Sequence, residues 1–423
     1  MRRREFLWSG AAAPLTGQSL PKRGMPPLKI VKVEAFVLRT PKDDSPPEKL
    51  IQMPPPGAMT GGPGLWNRLD HASPSRFHGY TQATLVKITT SEGITGWGEC
   101  HAPAAPRVQQ TIVTDALAPL LVGLDARDVE VLWERMYSSE RTRGYSTGFW
   151  TEAIAGVDLA LWDILGKYTG QPLYRLLGGK YRESIPTYTG IGGAAPEAIR
   201  DNARRAVEQG FPAVKMGLSK GPGTRDLDRV AAVSEAVGSK AQLLLDSLGA
   251  YKLHEAVKVG RELDKLKNIG WWEDVLLPDD TASFAKLTDA LDTPICAGEE
   301  LSNRFQFRDL FTPRGVDIIN PDVCRVGGIT ECRRIAILAD VHGILWSPHV
   351  STGTPVYMSA SLHLAAATPN FVIMEGGSAH AGPFGNVLLK EPLEYKPGSA
   401  RVPEGPGLGV EFDEKALARV MIG

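Results

Sequence analysis

Apolar and polar residues fall into two rhythms along this chain, and the place where each holds decides the elements. In "LKIVKVEAFVLRT" and "TLVKITTSEGITGWGEC" they alternate with period two. That pattern predicts strands, with a Glu-Gly turn inside the second stretch, and so a small antiparallel sheet. Residues 41–80, between the two stretches, are dense in Pro and Gly. So long an irregular segment inside a folded domain is a functional lid or is disordered. Beyond the sheet the period lengthens. In "TEAIAGVDLALWDILGKYTG", Ile154, Val157, Leu161 and Leu165 repeat at helical spacing, and Gly170 suits the stop. Residues 28–180 read as an α+β domain.

The rhythm then becomes regular. Short apolar runs recur at "IPTYTGI", "AVKM", "QLLLD", "IGWWE", "PICAGE", "VDIINPD", "ILWSPH" and "NFVIME", separated by amphipathic stretches such as "PEAIRDNARRAVEQG" and "HEAVKVGRELDKL". Strand and helix alternating eight times predict an α/β fold, a parallel (β/α)₈ TIM-like barrel over residues 181–380. Residues 381–423 remain as a C-terminal tail.

Composition narrows the function classes. The 423 residues are 43% hydrophobic and 22% charged, enough for a large core, and the net charge of -1 gives no electrostatic case for nucleic acid or an anionic membrane. No stretch approaches the roughly 18 apolar residues of a membrane span. Cys100, Cys296, Cys324 and Cys332 match neither a zinc nor a redox spacing and read as buried free thiols. The start, "MRRREFLWSGAAAPLTG", is similar to a twin-arginine export signal over residues 1–27, which implies a periplasmic protein. The other reading is a disordered basic tail on a cytoplasmic one.

Candidate chemistry lies at the strand ends. The second through eighth runs carry Lys215, Asp246, Glu273, Glu299, Asp322, His349 and Glu375 near their C-terminal ends, which in a barrel share one face. Any one acidic residue there could simply cap the following helix. Their agreement in position favours a site. Asp246, Glu273 and Glu299 on consecutive strands would repel one another in a dry pocket unless a cation joins them. All-oxygen donors favour Mg²⁺, with Mn²⁺ as the alternative. Lys215 can offset an anionic substrate, act as a base if its pKa is depressed, or merely pair with the carboxylates. His349 beside Asp322 makes a general base near neutral pH. Glu375 could donate a hydrogen bond if its surroundings keep it protonated.

From Leu28 onward the chain resembles the mandelate racemase branch of the enolase superfamily. The stretches that carry this are "GVDLALWDILGKYTGQPLYRLLGG", "AGEE", "DIINPDVCRVGGIT", "WSPHVS" and "GPGLGVEFDE". The resemblance implies Mg²⁺-assisted abstraction of the proton α to a carboxylate, giving an enediolate. It implies Asp246, Glu273 and Glu299 as ligands, His349 with Asp322 as base, Lys215 as a carboxylate-binding partner and Glu375 as a donor to the enolate oxygen. The N-terminal domain and the tail would form a cap, with residues 41–80 and "RTRGYSTGF" from Arg141 as specificity loops. The expected substrate is a small carboxylate, an acid sugar dehydrated to a 2-keto-3-deoxy acid, and the expected assembly is a homo-oligomer. A racemase or epimerase of a 2-hydroxy acid and a decayed, ligand-binding homologue are the alternatives. Three positions depart from the family. Gly217 stands where a second lysine is usual, Leu248 where many relatives have Asn, and Val275 where Pro is usual. The missing lysine predicts a one-base enzyme.

Overall fold

The computed structural model describes residues 26–40, 81–102, 105–193, 195–218, 224–312, 314–376 and 382–422. The expectations for the export signal and for a lid over residues 41–80 therefore lie outside the described residues. The period-two stretches form β1 (Ile30–Thr40), β2 (Thr81–Thr90) and β3 (Thr95–Cys100), paired antiparallel in chain order. Against this sheet packs the long helix α1 (Phe149–Thr169). The approach is close because two glycines of β3 allow it. A Cβ on Gly98 would stand 1.8 Å from the Gly156 carbonyl oxygen, and one on Gly96 would stand 2.1 Å from that of Ala160.

All eight apolar runs are strands: β4 (Ser184–Gly190), β5 (Ala213–Gly217), β6 (Gln242–Asp246), β7 (Ile269–Glu273), β8 (Ile295–Ala297), β9 (Ile318–Ile319), β10 (Leu345–Trp346) and β11 (Met374–Glu375). From β4 to β10 they pair in parallel, neighbour to neighbour. A bridge from Trp346 to Phe371 and pairing of β11 with β4 close the ring. Helices α2 (Pro196–Gln209), α3 (Thr224–Val237), α4 (Leu253–Leu263), α5 (Thr281–Ala290), α6 (Arg304–Phe311), α7 (Ile329–Val341) and α8 (Pro355–Ala367) link consecutive strands.

The eighth helix expected from the alternation does not follow β11 among the described residues. The tail takes its place. After a short β12 (Tyr395–Lys396), β13 (Ser399–Arg401) runs antiparallel to the first half of β4, and β14 (Met421–Ile422) adds to β1. The C-terminus thus completes the cap sheet. No helix among the described residues is long and apolar enough to cross a membrane.

Two packed layers follow from the strand period. Inside the barrel, Tyr188, Ala213, Leu244, Trp271, Cys296, Ile318 and Ile373 form one small cluster. Their neighbours Val214, Leu243, Leu245 and Trp272 belong to the larger core outside the ring.

Candidate active site

Lys215, Asp246, Glu273 and Glu375 each come two residues after a member of that interior cluster, so they form the next inward layer, at the C-terminal mouth. Register sets Asp246 opposite Glu273, while Lys215 pairs with Leu244, two residues short of Asp246, and its long side chain spans the offset. The Lys215 ammonium sits 3.3 Å from Asp246 Oδ2, 3.2 Å from Glu273 Oε1 and 3.2 Å from Glu375 Oε1. Burial disfavours its charge, but Glu273, Glu375, Tyr188 and Asp246 outweigh burial and hold it well above its ordinary value. Lys215 is a fixed cation in this arrangement and not the base that a depressed pKa would have made it. Glu375 is the mirror case. Burial favours its neutral form, yet Lys215 and His349 win and keep its carboxyl below the usual value. The protonated donor expected there gives way to an anion, because an ammonium stands directly against it.

The remaining carboxylates are less well compensated. Buried Glu273 accepts from Trp271 Nε1 at 2.9 Å and from Asn320 Nδ2 at 3.0 Å. Burial still pushes it up to about 8 against the pull of Lys215. Burial also raises Glu299, and raises Glu300 to about 7. Two groups offer oxygens within 4.8 Å of one another: Asp246 with Glu273 and Asp274, and Asp274 with Glu299 and Glu300. The expected trio of Asp246, Glu273 and Glu299 is thus bridged by Asp274, which the sequence reading did not include. Alternation would turn Asp274 away from the axis, but its φ of 44° breaks the alternation. Its Oδ2 is buried without a partner among the described residues. An orphaned anionic oxygen amid all-oxygen donors fits a hard divalent cation.

The opposite side of the mouth is an imidazole assembly. A bridge pairs Asp322 with His349, and His349 Nδ1 lies 2.8 Å from Asp322 Oδ2. The fully buried Asp322 also accepts from Cys324 N at 2.8 Å on Oδ1 and from the Tyr357 hydroxyl on Oδ2. Burial works against its charge, but His101 and His349 hold it well below the carboxylate range. His349 Nε2 is 3.2 Å from Glu299 Oε2. Burial opposes a charged ring, yet Glu299, Asp322 and Glu375 push it up to about 10. That lies above the near-neutral value expected of a base, and the carboxylate of Glu299 against Nε2 is the largest cause.

The cap closes over both sides. Asn303 Nδ2 donates to Ser146 O at 2.8 Å, Gly148 N donates to Ser302 Oγ at 3.0 Å, and Arg141 stacks on the Phe305 ring at 4.7 Å. The expected loop from Arg141 therefore rests on the segment that follows Glu299. His101, Tyr357, Asp274, Glu300 and Asn320 are members of the site that the candidate list did not name. Signals for three of them were "GECH" at one strand end, the second Glu of "AGEE" and the Asn of "VDIINPD".

Comparison with known proteins agrees with the fold. Residues 198–416 match the family described as enolase C-terminal domain-like, and residues 75–178 match the mandelate racemase / muconate lactonizing enzyme N-terminal domain. D-galactarolactone cycloisomerase of Agrobacterium fabrum is 36% identical, over 79% of this chain and 89% of its own length. D-galactonate dehydratase of Verminephrobacter eiseniae is 33% identical, over 78% and 88%. The crystal structure of the 3,6-anhydro-D-galactonate cycloisomerase from Zobellia galactanivorans superposes with a TM-score of 0.76 at 29% identity, covering 93% of this chain and all of that one.

Proposed function

This chain belongs to the mandelate racemase / muconate lactonizing enzyme family of the enolase superfamily, and from that premise we propose that it dehydrates an acid sugar to a 2-keto-3-deoxy acid. The observation that carries the reading is the His349–Asp322 pair facing a carboxylate cluster across the barrel mouth. Asp322 binds Nδ1 and leaves Nε2 as the nitrogen that meets substrate. His349 Nε2 removes the proton α to the substrate carboxylate and then, as imidazolium, returns a proton to the departing β-hydroxyl. Water leaves, and the enol becomes the 2-keto-3-deoxy acid. Lys215 offsets the carboxylate charge that grows as the proton leaves.

Asp246, Glu273 and Glu299, with Asp274 beside them, are suited to hold Mg²⁺, which when bound supplies the positive charge that stabilises an enediolate. Glu299, engaged as a ligand, would no longer raise the proton affinity of His349, which would bring the imidazole toward the neutral state a base requires. Neither of the two departing positions supplies a second base. Gly217 has open space where a side chain would stand, and Leu248, exposed near the mouth, carries no proton.

The test is a panel of acid sugars incubated with Mg²⁺ and assayed for 2-keto-3-deoxy acid. Exchange or inversion at the α-carbon with no keto acid would assign an epimerase instead. For the twin-arginine start we propose export, checked by cell fractionation of the native chain against a variant with Arg3→Lys and Arg4→Lys. An unchanged cytoplasmic location in both would dismiss it.

A further inference from the structure

Glu99 and His101 are two residues apart at the end of β3 and leave the cap on the same side. Each grips one of the two segments that carry the proposed base. The Glu99 carboxylate accepts from Thr354 N at 3.0 Å and from the Thr354 hydroxyl at 2.6 Å, at the start of α8, just after the His349 loop. His101 N donates to Cys324 O at 3.1 Å, and its ring Nδ1 lies 3.4 Å from Asp322 Oδ2. The His101 side chain is only 6% exposed, and its ring stands edge-on to that of His349 with centroids 6.4 Å apart. Burial outweighs the attraction of Asp322 and brings the His101 imidazole down to about 4. It is a neutral ring, and it can face an anion at this distance only by presenting Nδ1–H.

Asp322 is therefore approached from three directions. Its own chain donates Cys324 N, the barrel donates the Tyr357 hydroxyl, and the cap brings His101 Nδ1 to 3.4 Å. We propose that His101 is a positioning residue for the reaction, donating Nδ1–H to Asp322 so that the cap, and not the barrel alone, sets the orientation of His349. The inference rests on the reading of His349 and Asp322 as the base. It explains why a polar side chain of the cap domain is buried against Asp322, the carboxylate that holds His349 Nδ1.

His101→Phe keeps the ring and removes the donor, whereas His101→Asn keeps an N–H close to the Cβ side of the ring. The Phe variant is expected to lose about 10- to 100-fold in kcat with KM little changed, and to show a larger isotope effect with α-deuterated substrate. The Asn variant should recover most of that loss. A second readout needs no substrate. In ¹⁵N-histidine-labelled protein, the low-field Nδ1 proton of His349, assigned by its disappearance in His349→Asn, should move in His101→Phe and stay in place in His101→Asn. If wild type turns over no acid sugar, the reading of the reaction fails while this resonance still decides the role of His101. Wild-type kcat and an unmoved resonance in the Phe variant would overturn the inference. So would equal losses in both variants, since packing alone does not distinguish a donor from a non-donor. If the Phe variant does not fold, the Asn variant decides: a retained resonance supports the role and a displaced one overturns it.

Discussion

The two sides of the barrel mouth are built on opposite principles. Around Asp246, Glu273, Asp274, Glu299 and Glu300 the chain assembles more negative charge than the Lys215 ammonium can balance, and burial raises the proton affinity of four of these groups. Around Asp322 every oxygen has a donor, and the carboxyl is held well below its usual range. The first side is finished only by a ligand. The second is finished by the fold, with the cap contributing. The contrast separates a place for a cation from a place for a proton, and Glu299, against His349 Nε2, is where the two meet.

The largest predicted effect breaks the proton side. His349→Asn should lower kcat by about 10³-fold or more while Mg²⁺ affinity stays near wild type, since the ring holds no place in the carboxylate groups. Turnover of the product and Mg²⁺ titration by calorimetry read the two quantities separately. Glu273→Gln should break the cation side, weakening Mg²⁺ binding by about 100-fold, lowering turnover with it, and cutting the stabilisation of about 2.7 kcal/mol that wild type gains at 100 times its Kd to about 0.4 kcal/mol. Thermal unfolding with and without Mg²⁺ checks this.

A smaller effect sharpens the role of the cap. Burial, resisted by Thr354, holds the Glu99 carboxyl at about 7 against an ordinary 4.5. The folded protein therefore keeps a proton between those values that the unfolded chain releases. The stabilisation is complete below pH 4.5 and is lost as pH rises through 7. Glu99→Gln has no such loss. Relative to wild type it should gain up to about 3 kcal/mol between the two ends of that window, measured by urea unfolding. The gain should be the same with and without Mg²⁺, because Glu99 belongs to the proton side.

The same contrast explains what could be read from sequence. The barrel strands were legible because a period of two leaves its mark over a few residues, and Lys215, Asp246, Glu273 and Glu375 kept that period to the strand end. Asp274 was not legible, since only a left-handed backbone turn brings a neighbour of Glu273 into the cluster, and that turn leaves no mark in the residue pattern. His101 was hidden for another reason. Its partner Asp322 is remote in the chain and belongs to the other domain, so no local spacing joins them. The ionisation of Glu375 depends on where the Lys215 ammonium comes to rest, a matter of side-chain packing. Among the described residues no helix follows β11, and β13 of the tail runs along β4, a pairing that the alternating pattern did not mark.

The most direct test of the account is the fate of the α-proton during turnover of an accepted acid sugar in D₂O, followed by NMR. One base on one face predicts a 2-keto-3-deoxy acid carrying deuterium at C3, with recovered substrate free of the inverted epimer. Inverted substrate labelled at the α-carbon, formed without keto acid, would contradict it.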